Sequence, residues 1–271
     1  MAAPISPTMH VFPPHTRYSY LRLLTPSQEQ STTDIWNAIC TCVKQVVAEA
    51  QVAPTAIKGI GFDATCSLAV FTHDTDEPVP VTGPDFANDG NDRNVILWLD
   101  HRPVAETEKI NGTGHNLLRY VGGTMSVEME IPKVLWLKNN MPAELFARCK
   151  FYDLADALTH IATGNETRSF CSTVCKQGYV PVGVDGSVKG WQEDFYHTIG
   201  LSELVEDNFK RMGGVNGVVS PFYYPLILNL LANMGLEWEL PQRRRARRRL
   251  VGEGGQGLWT ARRHRHRKRC H

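Results

Sequence analysis

Two short polar runs in this sequence combine side chains that could hold a polyhydroxylated ligand. Asp63-Ala64-Thr65 follows the apolar segment 57–62, and Asp100-His101-Arg102 follows the apolar segment 95–99. A carboxylate beside small hydroxyl side chains can hydrogen-bond the vicinal hydroxyls of a polyol, and Ala64 leaves room for the ligand. The alternative is that Asp63 and Thr65 cap a turn, and residue types alone favour that alternative.

Two glutamates and a lysine further along the chain are also candidates. Glu128 and Glu130 precede a predicted helix, where the helix dipole alone would favour acidic residues. Lys176 ends the run Cys171-Ser-Thr-Val-Cys-Lys, and its ammonium could hold a sugar oxygen or a surface carboxylate. The sequence contains no G-x-x-x-x-G-K-[ST] or H-E-x-x-H motif, so the common phosphate-loop and zinc-protease signatures are absent.

The elements that must position these residues alternate between helix and strand. Ser31 or Thr32 can cap a helix in which apolar residues recur at helical spacing from Ile35 to Ala50, and Pro54 ends that helix. Segments 57–62, 67–71 and 95–99 are predicted strands, and Pro103 is expected to begin a helix. This order predicts an α/β sheet, and ligands bind such sheets beyond the carboxyl ends of the strands.

The second half of the chain is predicted to be mostly helical. Pro132 and Pro142 are each expected to open a short helix, and Asp153 begins a helix that ends at Gly164. Segment 191–204 contains two more short helices. After Gly217 the pattern gives way to aromatic residues and prolines.

Charge divides the 271-residue chain into two parts. Residues 241–271 hold 12 of the 29 Lys and Arg residues and one of the 28 Asp and Glu residues, so residues 1–240 carry 17 bases and 27 acids. A body with a net charge of −10 is therefore joined to a tail with a net charge of +11. Such like-charge blocks repel one another and stay solvated, which predicts a disordered basic tail.

The compartment is predicted from the chain's N-terminal residues and its cysteines. Residues 1–15 include four prolines and lack the apolar core of a secretory signal, and segment 221–236 is too short and too interrupted to span a bilayer. The seven cysteines form no C-x-x-C pair and are expected to be reduced thiols. We therefore predict a cytoplasmic protein with no membrane partner.

Four ordered blocks resemble the first domain of the FGGY carbohydrate kinases, in particular the ribulokinase-like branch. The blocks are Glu29 to Trp36, Gly59 to Leu68, Asn94 to Arg102 and Tyr120 to Met129, and the similarity covers about residues 28–214. The resemblance implies a ribonuclease-H-like, actin-like fold, with sugar held by the first domain and ATP-magnesium by the second. The implied reaction transfers the γ-phosphoryl group of ATP to a sugar hydroxyl.

The resemblance also assigns the binding residues. Asp63-Ala64-Thr65 matches the sugar-contacting segment of the family, Glu128 falls near a second contact, and Lys176 matches the lysine that ribulokinases direct at the ketose. Ala64 suits a bulky pentulose, because glycerol kinases carry arginine there. On this basis the substrate is a pentulose such as ribulose, or a polyol, and the turn-capping interpretation is superseded.

Two motifs of the family are missing from the sequence. Residues 1–27 contain no G-x-D-x-G-T phosphate loop, and no D-x-H-x-G motif with the proton-accepting aspartate follows Gly217. Neither a catalytic residue nor an ATP or magnesium ligand is therefore predicted here, and we expect an inactive kinase fragment with an incomplete sheet.

This hypothesis divides the chain into three parts: a divergent N-terminus (1–27), the FGGY-type domain (28–217) and a divergent tail (218–271). Two alternatives stay open. One is a non-catalytic sugar-binding remnant, and the other is nucleic-acid binding through the Arg-rich tail, which arginine-phosphate contacts would support.

Overall fold

A computed structural model describes residues 28–57, 59–83, 85–87, 92–180, 190–214 and 218–219. By internal contacts the chain divides into two units, residues 1–238 and 239–271, and all described residues belong to the first. The predicted N-terminal part (1–27), nearly all of the tail, and its predicted disorder lie outside the described residues. Within them, no helix combines the length and the apolar character needed to cross a membrane.

The first sheet has four strands, and all neighbouring strands are antiparallel. Their bounds are β1 (Glu29–Gln30), β2 (Leu68–Thr72), β3 (Val95–Ile96) and β4 (Cys149–Asp153), and their order across the sheet is β1-β3-β2-β4. The central pair runs from Leu68 opposite Asp153 to Thr72 opposite Cys149. This register places the start of β2 beside the end of β4.

Eight helices are described around the strands. They are α1 (Thr32–Glu49), α2 (Val104–Gly112), α3 (Glu130–Asn140), α4 (Ala143–Arg148), α5 (Leu154–Thr163), α6 (Phe170–Lys176), α7 (Glu193–Ile199) and α8 (Ser202–Glu206). Short 3₁₀ turns cover Pro54–Ala56, Asn116–Val121 and Lys210–Met212. Two further short strands, β5 (Arg168–Ser169) and β6 (Val218–Val219), pair in parallel.

β2 is buried along its whole length because helices cover both faces of the sheet. Leu68 and Val70 belong to the larger core, with residues of α2, α3 and α7, whereas Ala69 and Phe71 pack with residues of α1 and α5. Successive strand residues point to opposite faces, so this alternation builds a three-layer arrangement with the sheet in the middle.

Local signals explain where two long helices begin and end. The Ser31 hydroxyl accepts a hydrogen bond from the Asp34 amide at 3.2 Å, which caps α1 as its sequence predicts. α5 ends at Gly164, whose φ of 68° places it in the left-handed region and lets its amide donate to the His160 carbonyl. Capping chemistry therefore fixes these two ends.

One predicted strand is wrong, and another is shorter than expected. Residues 59–65 form neither helix nor strand, because within the described part of the chain β2 takes β3 and β4 as its neighbours. The strand predicted over 95–99 stops at Ile96, since the chain turns at Trp98 and Leu99. The predicted strand 67–71 is confirmed as β2, shifted by one residue.

The helix predictions hold with shifted boundaries. α3 begins at Glu130, two residues before Pro132, because a proline fits the first turn of a helix. Pro103 and Pro142 lie immediately before α2 and α4. α7 falls within 191–204, and α8 begins in that segment and ends two residues beyond it. β4 and α6 were not predicted.

Candidate functional site

A group of polar side chains meets where β2 begins and β4 ends. Asp153 closes β4, Lys176 and Gln177 lie at the end of α6, Glu130 begins α3, and Cys66 precedes β2. The ligating atoms of Cys66, Glu130 and Asp153 all lie within 4.8 Å of one another. We call these five residues the Asp153 cluster.

Lys176 and Asp153 form the ion pair of the cluster. The Lys176 ammonium lies 2.9 Å from both carboxylate oxygens of Asp153, and the Ser172 hydroxyl donates to Asp153 Oδ2 at 3.1 Å. The Asp153 side chain is 1% exposed and that of Lys176 14%. Burial alone would lower the pKa of Lys176, but the charge and hydrogen bonds of Asp153 raise it overall. Lys176 is therefore a fixed, permanently charged donor.

Glu130 is the opposite kind of acid, because it is completely buried. Burial, reinforced by the neighbouring Asp153 carboxylate, raises its pKa well above the usual range, because the charged form is poorly solvated there. Gln177 Nε2 donates to Glu130 Oε2 at 2.6 Å. Glu130 Oε1 and Gln177 Oε1 are buried and have no hydrogen-bond partner among the described residues. Two oxygens in the cluster can therefore accept hydrogen bonds from a ligand.

Glu128 is exposed beside the cluster, on a loop that Lys133 holds in place. The Lys133 ammonium donates to the carbonyl oxygens of Glu128 at 2.8 Å, Val127 at 3.3 Å and Met129 at 3.4 Å, and to that of Trp98 at 3.4 Å. Its desolvation lowers the pKa of Lys133. The buried lysine thus fixes the backbone from which Glu128 projects.

The segment Asp63 to Thr65 leads directly into the cluster. Asp63 and Thr65 are exposed and Ala64 is half-buried, and the Thr65 hydroxyl lies 3.1 Å from the Ser67 hydroxyl. The next residue, Cys66, has its sulfur 3.8 Å from the Glu128 carbonyl oxygen. Burial, with Glu130 adding to it, raises the pKa of the Cys66 thiol to about 12. Cys66 thus links the 63–65 segment to the loop that carries Glu128.

Sequence reasoning missed Asp153, Ser172 and Gln177. Asp153 was assigned only to a helix start, and β4, which presents it, was not predicted. The available signal was the spacing of α6, because Ser172 and Lys176 are four residues apart and share one helix face. A helix over 170–176 would have indicated that both side chains meet a single partner.

Asp100 and Arg102 serve the structure, and they lie outside the Asp153 cluster. The Asp100 carboxylate accepts from Arg102 Nε at 2.9 Å and Nη2 at 2.7 Å, and Arg102 also pairs with Glu29 of β1. Both side chains of the Arg102–Asp100 pair are nearly completely buried. Their hydrogen-bonding capacity is used to hold β1 and the segment after β3 together.

A second ionic group surrounds Glu166, beside Lys150 and Tyr152 of β4. The Lys150 ammonium pairs with Asp76 and lies 2.7 Å from Glu166 Oε1, and the Tyr152 hydroxyl donates to Glu166 Oε2 at 2.7 Å. His160 Nε2 lies 3.1 Å from Asp76 Oδ1. We call Asp76, Lys150, Tyr152, His160 and Glu166 the Glu166 cluster. Since Lys150 pairs with both acids, each carboxylate of this cluster already has a cationic partner.

A cavity of about 570 Å³ lies away from both clusters. Its lining includes Phe86, Trp136, Asn140 and Asp85, and none of the predicted site residues. The cavity and the polar clusters therefore lie at different places in the molecule. We choose the Asp153 cluster as the candidate site, because two of its buried oxygens have no partner among the described residues and could bind a polar ligand.

Residues 22–180 match the model of the FGGY family of carbohydrate kinases, N-terminal domain. The chain is 59% identical over 185 residues to the D-ribulokinase YDR109C of Saccharomyces cerevisiae, a match that covers 68% of this chain and 26% of that protein. It is 44% identical over 194 residues to the FGGY carbohydrate kinase domain-containing protein of Homo sapiens, covering 71% of this chain and 32% of that protein.

The fold is shared with solved sugar kinases. The structure of Plasmodium falciparum glycerol kinase with ADP superposes with a TM-score of 0.53 at 13% identity, covering 73% of this chain and 36% of that one. The predicted actin-like fold is thereby confirmed. The chain spans about a quarter to a third of the length of the relatives that it matches. Together, the family match and the two relatives establish that this chain belongs to the FGGY family of carbohydrate kinases.

Proposed function

We propose that this chain carries the sugar-binding part of a pentulose kinase, with a ribulose-like ketose as substrate. The observation that carries the proposal is the Asp153 cluster, which combines a charged Lys176 with two buried oxygens that have no hydrogen-bond partner in the described part of the chain. The 59% identity to a protein named D-ribulokinase supports the choice of substrate.

The cluster matches the chemistry of a ketose. An ammonium can donate to a carbonyl or hydroxyl oxygen, and the oxygens of Glu130 and Gln177 can accept from hydroxyl groups. We assign the sugar contacts to Asp63, Ala64, Thr65, Glu128 and Lys176. In the intact enzyme they would orient the acceptor hydroxyl for phosphoryl transfer, where positioning supplies much of the catalysis.

FGGY kinases depend on ATP, for which magnesium is the usual partner, but the Asp153 cluster does not fit this cation. Magnesium prefers an octahedron of oxygens, whereas the cluster offers a thiol, a fully buried carboxyl with a raised pKa and a carboxylate already paired with Lys176. No step of the reaction is therefore assigned to a metal at this site. We propose that this chain alone does not turn over ATP, and that the family domain extends from residue 28 to about Gly217.

Ribulose binding tests the sugar proposal. Calorimetric titration of the full chain with D-ribulose should give saturable binding, and Lys176→Met should abolish it, whereas Lys210→Met, which removes an exposed lysine, should not. Equal affinity in all three proteins would refute the assignment of Lys176. A coupled ATP-consumption assay with ribulose should show no turnover, and turnover at an ordinary kinase rate would overturn the inactive-fragment proposal.

Nucleic-acid binding through residues 241–271 is the second candidate, because this segment carries a net charge of +11. Truncation after Gly217 should abolish salt-dependent RNA retention and leave ribulose binding intact. A cytoplasmic location stays a prediction, and cell fractionation tests it.

A further inference from the structure

Two cysteines on α6 form a pair of adjacent, exposed thiols. Cys171 and Cys175 are four residues apart on the helix Phe170–Lys176, and both are free and exposed. Residues at this spacing lie on the same helix face, with their Cβ atoms about 5–6 Å apart. Burial and the neighbouring Cys171 thiol raise the pKa of Cys175, which agrees with their contact. Neither thiol has a part in the core.

We propose that Cys171 and Cys175 form a two-thiol binding site for a soft, thiophilic metal ion, with Cu(I) as the best match. This inference goes beyond sugar phosphorylation, and it does not depend on the proposed substrate.

Helix geometry favours a bridging ion over a disulfide. A disulfide needs Cβ atoms about 3.5–4.5 Å apart, closer than a regular helix places residues four apart. Two metal-sulfur bonds of about 2.3 Å each let the sulfurs remain up to roughly 4.6 Å apart, so an ion can bridge them while the helix stays intact.

The number and kind of ligands select the ion. Zinc takes four ligands in structural sites and three protein ligands in catalytic ones, whereas this pair offers two. Thiolates favour soft ions such as Cu(I) over magnesium or calcium, which bind oxygen. On binding, each thiol releases its proton and donates a sulfur lone pair to the ion, so no oxidant or reductant is required.

The position of the pair separates it from the Asp153 cluster. Lys176 follows Cys175 directly and points to Asp153, whereas Cys171 and Cys175 are exposed. A bound ion would therefore lie next to the proposed sugar contact without occupying it.

The test uses the full chain, reduced and free of oxygen, titrated with Cu(I) against a chromophoric Cu(I) chelator. Cys171→Ser, Cys175→Ser and the double variant should each bind one ion fewer than the wild type. The matched control is the double variant Cys40→Ser/Cys42→Ser. Those cysteines are two residues apart on α1 and so point to different sides of the helix. It should bind as many ions as the wild type. Because the comparison is a difference, Cys270 and the histidines of the tail contribute equally to every protein.

Alkylation followed by mass spectrometry locates the ion. Cu(I) should protect Cys171 and Cys175 together, and replacing either one should expose the other. Unchanged alkylation of both cysteines in the presence of Cu(I) would overturn the proposal, as would protection of Cys175 in Cys171→Ser. Circular dichroism of each variant confirms that folding is retained.

Discussion

The Asp153 and Glu166 clusters lie on opposite faces of β4, because Lys150 and Tyr152 alternate along the strand with Asp153, and the two clusters shift the pKa of a glutamate in opposite directions. Glu130 is fully buried beside another carboxylate, and burial raises its pKa well above the usual range. Glu166 is half-exposed, and the hydrogen bonds from Lys150 and Tyr152 outweigh desolvation and lower its pKa to about 2. The difference shows that the partner within reach, together with the depth of burial, decides which acid carries charge.

The two clusters also differ in what they leave available. In the Glu166 cluster both acids already pair with the Lys150 ammonium. In the Asp153 cluster Lys176 is paired, but Glu130 Oε1 and Gln177 Oε1 have no partner among the described residues. The first arrangement is suited to stability, whereas the second retains hydrogen-bonding capacity for a ligand.

The two clusters should differ most in how much the free energy of unfolding falls when the aspartate that pairs with the lysine is replaced. Asp153→Asn leaves the Lys176 ammonium largely buried without a counter-charge, and the free energy of unfolding should fall by roughly 3 kcal/mol. Asp76→Asn should cost about 1 kcal/mol or less, because the Asp76 side chain is 56% exposed and Lys150 keeps Glu166. Urea denaturation measures both changes. Equal losses would remove the distinction between a buried and a solvated pair.

Replacing each glutamate with glutamine should change the free energy of unfolding in different directions. Glu166→Gln removes one of the two carboxylates that pair with Lys150, and stability at pH 7 should fall by about 1 kcal/mol. Glu130→Gln should leave stability equal or higher, because burial beside Asp153 raises the pKa of Glu130 and disfavours its charged form, whereas the amide carries no charge. The same denaturation experiment decides this point, and a large loss in Glu130→Gln would show that Glu130 is ionised.

The smallest effect is a difference in pH dependence between the two glutamates. The pKa of Glu166 is lower in the folded chain, so its contribution is complete above the unfolded value of about 4.3 and is lost as the pH falls towards 2. The pKa of Glu130 is higher in the folded chain, so its contribution is complete below about 4.3 and declines as the pH rises. Unfolding free energies of the wild type minus those of each glutamine variant, measured from pH 3 to 8, should slope in opposite directions. Parallel slopes would contradict the assignment.

The sequence predicted the elements whose signals are local. Capping by Ser31, the stop at Gly164 and the apolar run of β2 each depend on neighbouring residues, and each prediction held. The strand predicted over 57–62 is wrong because a β-strand requires a neighbouring strand to pair with, and an apolar run alone does not specify one. β4 was missed because Lys150 and Asp153 interrupt its apolar pattern, although both side chains are buried through ion pairs.

The candidate site was predicted only in part, for the same reason. The family resemblance named Lys176 and Glu128, but the partner of Lys176 comes from a strand 23 residues away along the chain. Likewise, the pKa of Glu130 is raised because the fold buries it next to Asp153, a contact between distant elements. Pairings of this kind depend on register and packing, which local patterns do not encode.

The buried Lys133 has a consequence for how this part of the molecule opens. Its ammonium donates to carbonyls on both sides of a gap in the sequence, at Trp98 and at 127–129. If either stretch moves away into solvent, the Lys133 ammonium loses part of the set of carbonyl acceptors that stabilises its charge. The stretch around Trp98 and the stretch 127–129 should therefore exchange their amide hydrogens at similar rates, as one cooperative unit. Glu128 then moves only together with a turn that lies about thirty residues earlier in the chain.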